Sequence, residues 1–208
     1  MDQELGKQAA DDASQRPGED PGIPEGFVPP DCPWPIVLGL DPGTLRAGWG
    51  ALLMADEGPR LLGCGVLDAS ARLGPPQRLA KMARGFELLL DRLRPRTVVV
   101  ESAFAFRNVK SALRIGEARG LALAGAARRG CEVIEMAPAA AKKAVLGNGA
   151  ASKHQVAAMV ARRFDAALES VPEDATDALA LALAHTERAR FAAVVGRARR
   201  PGSPRGRP

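Results

Sequence analysis

Cysteine and histidine are scarce in this chain, and long apolar runs are absent. The three cysteines, Cys32, Cys64 and Cys131, lie far apart and form no Cys-x-x-Cys pair. They read as inert thiols in a reducing cytoplasm. There are two histidines, His154 and His185, neither set among cysteines or carboxylates, which argues against a histidine-rich zinc site. No apolar run approaches the roughly 20 residues that a bilayer span requires. The N-terminus is acidic and has no apolar stretch, so no secretory signal is expected. The expectation is a cytoplasmic protein with no membrane partner.

What is present is an apolar core and an uneven charge. Apolar residues make up 46% of the 208, enough for one domain with tails. The net charge is +5. Residues 1–34 contribute eight acids against two bases, whereas residues 186–208 contain seven arginines and one acid. A basic body with a basic tail suits a polyanionic partner.

Seven prolines fall between Pro17 and Pro35, in a polar stretch that has no periodic apolar face. Residues 1–35 are therefore expected to be a disordered extension. The same reading holds for a basic flexible tail over 191–208, rich in Arg, Gly and Pro from Gly196 onward. The domain lies between, at 36–190. Ile36–Leu40 is a buried strand that stops at Asp41. Gly48–Met54 and Leu61–Leu67 read as two more strands, joined by a turn at Glu57-Gly58-Pro59. Leu79, Met82, Phe86, Leu89, Leu90 and Leu93 mark a helix, which Pro95 ends. Thr97–Val100 is a short strand before Glu101. A helix follows over about Val109–Arg129, then a strand at Cys131–Met136. Helices are predicted at about Ala139–Leu146 and Lys153–Phe164, the latter opened by a Ser152/Gln155 capping box. A last helix starts near Pro172 and runs to about Arg190. The order βββαβαβααα implies an α/β fold with a mixed five-stranded sheet. Three strands form an antiparallel meander, two join in parallel, and helices flank the sheet.

Four acids occupy telling places. Asp41 and Glu101 each end an apolar strand, where ligand sites of open α/β sheets lie. Asp174 and Asp177 are spaced i, i+3 on one face of a helix, in its first turns. Each acid alone also fits a structural part, as a turn former, a strand-end charge or a helix-dipole partner. Taken together, converging carboxylates repel one another unless cations neutralise them. Oxygen-only ligands select hard ions such as Mg²⁺ or Mn²⁺. Two such ions about 4 Å apart can drive phosphodiester hydrolysis.

Four segments resemble the signatures of the RuvC family of Holliday-junction resolvases. Val37-Leu-Gly-Leu-Asp-Pro-Gly-Thr44 with Gly48-Trp49-Gly50 is similar to its opening strand. Glu101-Ser-Ala-Phe104 with the run from Asn108 to Gly120 resembles its second signature. Lys142-Lys-Ala-Val-Leu-Gly-Asn-Gly149 with Ser152, Lys153, Gln155 and Val156 resembles the third, and Glu173-Asp-Ala-Thr-Asp-Ala-Leu-Ala180 the last. All four stand in family order over about residues 36–185. The resemblance implies an RNase H-like fold and a homodimer that makes paired symmetric nicks across a four-way DNA junction in recombination and repair. It also implies dependence on Mg²⁺, two per subunit, with Mn²⁺ as substitute, and a branch-migration helicase partner. By motif, the catalytic, metal-binding acids are Asp41, Glu101, Asp174 and Asp177.

Two departures stand out. The family's Thr-Gly-Tyr-Gly is Ala47-Gly48-Trp49-Gly50 here. Its Pro-Arg-Gln-Val is Pro138-Ala-Ala-Ala141, which removes a positive, hydrogen-bonding segment. Phe104, Arg107, Asn108, Lys142, Lys143 and Lys153 are the candidate DNA-binding residues. Phe104 would act as a wedge in the opened junction, and the lysines would neutralise phosphates. Phenylalanines also fold back on cores, asparagines cap helices and lysines line solvated faces. Two other functions remain open: a related nuclease acting on other branched DNA, and a non-catalytic junction binder. Ala112, Gly116, Gly120 and Ala124 recur every four residues along the helix after Asn108. That smooth stripe suits a two-fold dimer contact, or close packing on the chain's own sheet.

Overall fold

The computed structural model describes residues 20–102, 109–164 and 171–198. Its elements are β1 (Ile36–Asp41), β2 (Arg46–Ala55), β3 (Gly58–Asp68), α1 (Pro75–Leu93), β4 (Thr97–Glu101), α2 (Val109–Arg128), β5 (Glu132–Met136), α3 (Pro138–Leu146), α4 (Lys153–Phe164) and α5 (Glu173–Ala198). The strands lie in the order β3-β2-β1-β4-β5. β1, β2 and β3 pair antiparallel, and β4 and β5 join β1 in parallel. The expected α/β fold, three strands antiparallel and two parallel with helices around them, is the one found. The β2–β3 turn lies one residue earlier than expected, at Asp56–Glu57.

Strand alternation sorts the core into two layers. Leu38, Leu40, Val98 and Val100 pack with Met82, Phe86, Leu89 and Leu93 of α1 and with Ala122 and Ala126 of α2. Val37 and Val99 face the other way, toward Val145 of α3, Val156 and Val160 of α4, and Leu179 and Leu183 of α5. α5 runs 26 residues to Ala198. It is thus eight residues longer than expected and takes in the first part of the predicted tail. Arg188, Arg190 and Arg197 are good helix formers, and once α5 is nucleated on the sheet it continues through them to Ala198.

Residues 20–35 also differ from expectation, because they lie on the domain. Ile23 and Val28 are buried in the first core layer. Arg92 pairs with Asp20 at 2.6 Å, and the Arg94 guanidinium donates to the Val28 carbonyl. Arg94 itself ends α1 in the left-handed region, at φ 48°. The segment has no sequence period because it follows a surface that only the assembled sheet and α1 create. Its prolines lower the entropy lost on ordering. Residues 1–19 lie outside the described residues. Because residues 1–19 carry no periodic apolar face in the sequence, a protein lacking them should melt like the full chain. Removal of 1–34 should cost on the order of 3 kcal/mol, from loss of two buried aliphatic side chains. Equal melting temperatures for the two truncations would refute this packing. Among the described residues, no helix is long and apolar enough to cross a membrane.

Candidate active site

Alternation along the strands aims the acids. On β1, Val37, Gly39 and Asp41 share the face covered by α5, and on β4 so do Val99 and Glu101. The β1–β4 register pairs Leu40 with Val100, so Asp41 and Glu101 leave adjacent strands side by side. Two glycines then let α5 sit directly on the sheet. A Cβ at Gly39 would overlap the Ala178 carbonyl, and one at Gly48 the Asp174 carbonyl. Gly48 is the register partner of Asp41. The glycine that admits the start of α5 therefore stands next to the acid that α5 approaches.

The electrostatics show the convergence. The Asp41 carboxyl is pushed up to about 8 from an ordinary 3.8. Burial is the main cause, followed by a hydrogen bond with Glu101 and the negative charges of Glu101, Asp177 and Asp174. One proton between Asp41 and Glu101 thus offsets part of the repulsion. Two side-chain cations offset more. Lys153 Nζ lies 2.9 Å from Asp177 and 3.6 Å from Glu173. Its ammonium is held above the usual lysine range, first by the Asp177 bond. Arg46 Nε lies 3.2 Å from Asp68 and 3.5 Å from Asp174. Lys153 and Arg46 stand on the two aspartates, and among the described residues no three acidic, histidine or cysteine side chains are gathered closely enough to hold a metal as they stand. The donors are all oxygen, and they suit hard divalent cations. A cation entering the cluster would displace the shared proton and release the two side-chain cations.

The sequence singled out six further residues. Lys153 joins the acidic cluster. Lys142 does not: its Nζ donates to the Ala151 carbonyl at 2.8 Å, fastening α3 to the segment before α4. Lys143, on the same helix, is exposed. Phe104, Arg107 and Asn108 lie outside the described residues. Two residues escaped sequence reasoning. Arg46 stands in the gap between two quoted motif pieces, and Arg119 within a quoted run. Nothing in spacing marks either, since their partners are distant in the chain. Arg119 Nε donates to the Glu101 carbonyl at 3.0 Å.

A family model described as Crossover junction endodeoxyribonuclease RuvC matches residues 37–185. This chain belongs to the RuvC family. The RuvC of Chloroflexus aurantiacus is 42% identical over 148 residues, 71% of this chain and 90% of the relative. That of Dehalococcoides mccartyi is 41% identical over 158 residues, 76% of this chain and 96% of the relative. In structure the chain is similar to Thermus thermophilus RuvC solved in complex with Holliday junction substrate. The TM-score is 0.70 at 32% identity, over 76% of this chain and 96% of that one. The mixed sheet is accordingly the RNase H-like fold of a RuvC resolvase. The span matched to the RuvC model contains all four acids and both cations that pair with them.

Proposed function

We propose that this protein is a Holliday-junction resolvase, a metal-dependent endonuclease that cuts four-way DNA junctions by paired symmetric nicks in recombination and repair. The observation that carries this is the approach of the four acids at one end of the sheet: Asp41 and Glu101 leave adjacent strands, and Gly48, the register partner of Asp41, lets the first turn of α5 with Asp174 and Asp177 sit against them. In this reading the four acids hold Mg²⁺, two ions per subunit, with Mn²⁺ able to substitute. The bound ions would supply activation of a water and neutralisation of the leaving oxygen. The chain's own part is to aim the carboxylates and to keep Asp41 buried. It also supplies Lys153 and Arg46 as cations that can turn from the acids to DNA phosphates. Phe104, Arg107, Asn108 and Lys143 are assigned to DNA contact, and Lys142 to holding the α3–α4 connection. The enzyme would act in the cytoplasm beside a branch-migration helicase.

The test is a synthetic four-way junction with Mg²⁺. Wild type should nick two opposed strands symmetrically, and linear duplex should be cut far less. Glu101→Gln should lower nicking by roughly a thousandfold or more while keeping junction affinity, because shape is retained and one ligand charge is lost. Nicking within threefold of wild type would remove Glu101 from the ligand set.

Paired cuts on a two-fold junction call for two sites, hence a C₂ homodimer. Support comes from α2. Gly116 and Gly120 are exposed, with nothing within 4 Å of a Cβ at either. The face of α2 turned to the sheet is instead Ala118, Ala122, Gly125 and Ala126. The intrachain alternative for the stripe therefore fails. Val109 and Leu113 are also exposed, 76% and 64%, on the same helix. Gly120→Leu should give folded monomers that make single, unpaired nicks. A dimeric Gly120→Leu protein in sedimentation would rule out this contact.

A further inference from the structure

Glu101 stands at the end of β4, where the Ser102 N–H donates to the Met136 carbonyl at 2.9 Å. It lies one residue past the last rung between β1 and β4, and its neighbour on the other side is Met136 at the end of edge strand β5. Among the described residues, a side chain of α2 reaches this strand end. Arg119 of α2 donates from Nε to the Glu101 carbonyl at 3.0 Å and from Nη2 to the Glu135 carboxylate of β5. These nitrogens form one edge of the guanidinium, so a single rigid fork joins α2, the end of β4 and β5. The Arg119 side chain is only 20% exposed and its bond to the Glu101 carbonyl is part-buried, whereas the Glu135 carboxylate is 52% exposed and its pairing is the more screened by solvent. The next residue, Gly120, points outward on the exposed stripe.

We infer that Arg119 is a positioning residue for Glu101, fixing the strand end that places this carboxylate against Asp41 and tying it to the helix that would carry the dimer contact. The inference rests on the reading of Glu101 as a metal ligand. Arg119 touches no reacting atom in this scheme. It acts on a backbone carbonyl, so its loss lets the end of β4 shift while the carboxylate remains. A shift of about 1 Å at such a site is enough to lower a rate by roughly 100-fold, and loss of partners that orient metal ligands costs about 10- to 100-fold in metal affinity or activity. Lysine cannot replace the arginine, because an ammonium is a point donor and cannot bridge a carbonyl and a carboxylate with a fixed spacing.

The experiment compares wild type with Arg119→Lys, Arg119→Ala, Glu135→Gln and Glu101→Gln in three measurements. These are junction affinity without divalent metal, nicking rate against Mg²⁺ concentration, and the rise in melting temperature on adding Mn²⁺ to metal-free protein. Both Arg119 variants should bind the junction within about twofold of wild type. Their Mg²⁺ requirement should rise about tenfold or more, and Mn²⁺ should stabilise them less. Glu135→Gln should shift the same quantities in the same direction by a smaller factor. If Arg119→Ala fails to fold, Arg119→Lys and Glu135→Gln carry the test. An unchanged Mg²⁺ curve and Mn²⁺ shift in Arg119→Lys overturns the inference. So does a junction affinity that falls in step with nicking, which would make Arg119 a DNA contact. Glu101→Gln separates the two levels. If it nicks like wild type, the ligand reading itself is wrong. If it is inactive while Arg119→Lys is normal, only the positioning role fails.

Discussion

Asp41→Asn is expected to abolish junction nicking and, in the same protein, to raise the melting temperature of the metal-free enzyme at pH 7–8. Both follow from one carboxylate. As a ligand at the end of β1, Asp41 contributes a charge that asparagine lacks, and the loss should exceed roughly a thousandfold in rate. As a buried group it is a burden without metal. Its carboxyl titrates near 8 in the fold against an ordinary 3.8, so between those values the folded protein holds a proton that the unfolded chain has released. Stability is fully present below pH 4 and is lost as pH rises toward 8. At about 1.4 kcal/mol per unit, several units amount to a few kcal/mol as an upper bound. Asparagine cannot ionise, and its amide can donate to Glu101 as the protonated carboxyl does. In EDTA, wild type should therefore melt progressively lower from pH 5 to pH 8, and Asp41→Asn should not. Millimolar Mg²⁺ should erase most of the difference by stabilising wild type alone. Parallel melting curves for the two proteins across that pH range would show that Asp41 does not sit against the other three acids.

Gly48→Ala is expected to damage the site more thoroughly than any surface substitution, although one methyl is all it adds. A Cβ there would overlap the Asp174 carbonyl, with the Asp174 carbonyl carbon and the Ala175 nitrogen also in reach. None of these is a flexible side chain that can turn aside. α5 must lift from the sheet at its first turn, loosening Ala175, Ala178 and Leu179, all fully buried. Overpacking of this kind costs about 1–3 kcal/mol, and a helix forced off its seat adds lost burial to that. Asp174 and Asp177 would move with the helix, so nicking should fall at least about 100-fold even in protein that folds. Chemical denaturation and single-turnover nicking check the two effects. A Gly48→Ala protein within 1 kcal/mol of wild-type stability and threefold of its rate would mean that α5 does not press on β2 at this point.

The same glycines mark how much of the site the sequence carried. Gly48 and Gly50 are visible in the motif beside Trp49, but their purpose is not, because the atoms they make room for belong to residues 174 and 179, more than a hundred positions away. Arg46 illustrates the same limit: its partners Asp68 and Asp174 come from β3 and α5. The stripe on α2 fits a partner helix and the chain's own sheet equally by period. The orientation of α2 removed the second, by turning Ala118 and Ala122 inward and leaving Gly116 and Gly120 exposed. Residues 20–35 defeated a composition argument, since two buried aliphatics and two arginine clamps suffice to hold a segment that carries no period of its own.

What the sequence determined by itself is local. Short continuous apolar runs that stop at Asp41 and Glu101 set both acids at strand ends. The i, i+3 spacing set Asp174 and Asp177 on one helix face, and the element order required a mixed sheet. Each of these depends on residues a few positions apart, where backbone geometry fixes which side chains share a face. Only the tertiary structure decided that β1 and β4 are neighbours, that α5 crosses the face bearing both acids, and that Lys153, Arg46 and Arg119 end beside them. Those contacts join residues far apart in the chain, and burial, close approach and charge balance select them only once the whole sheet has formed.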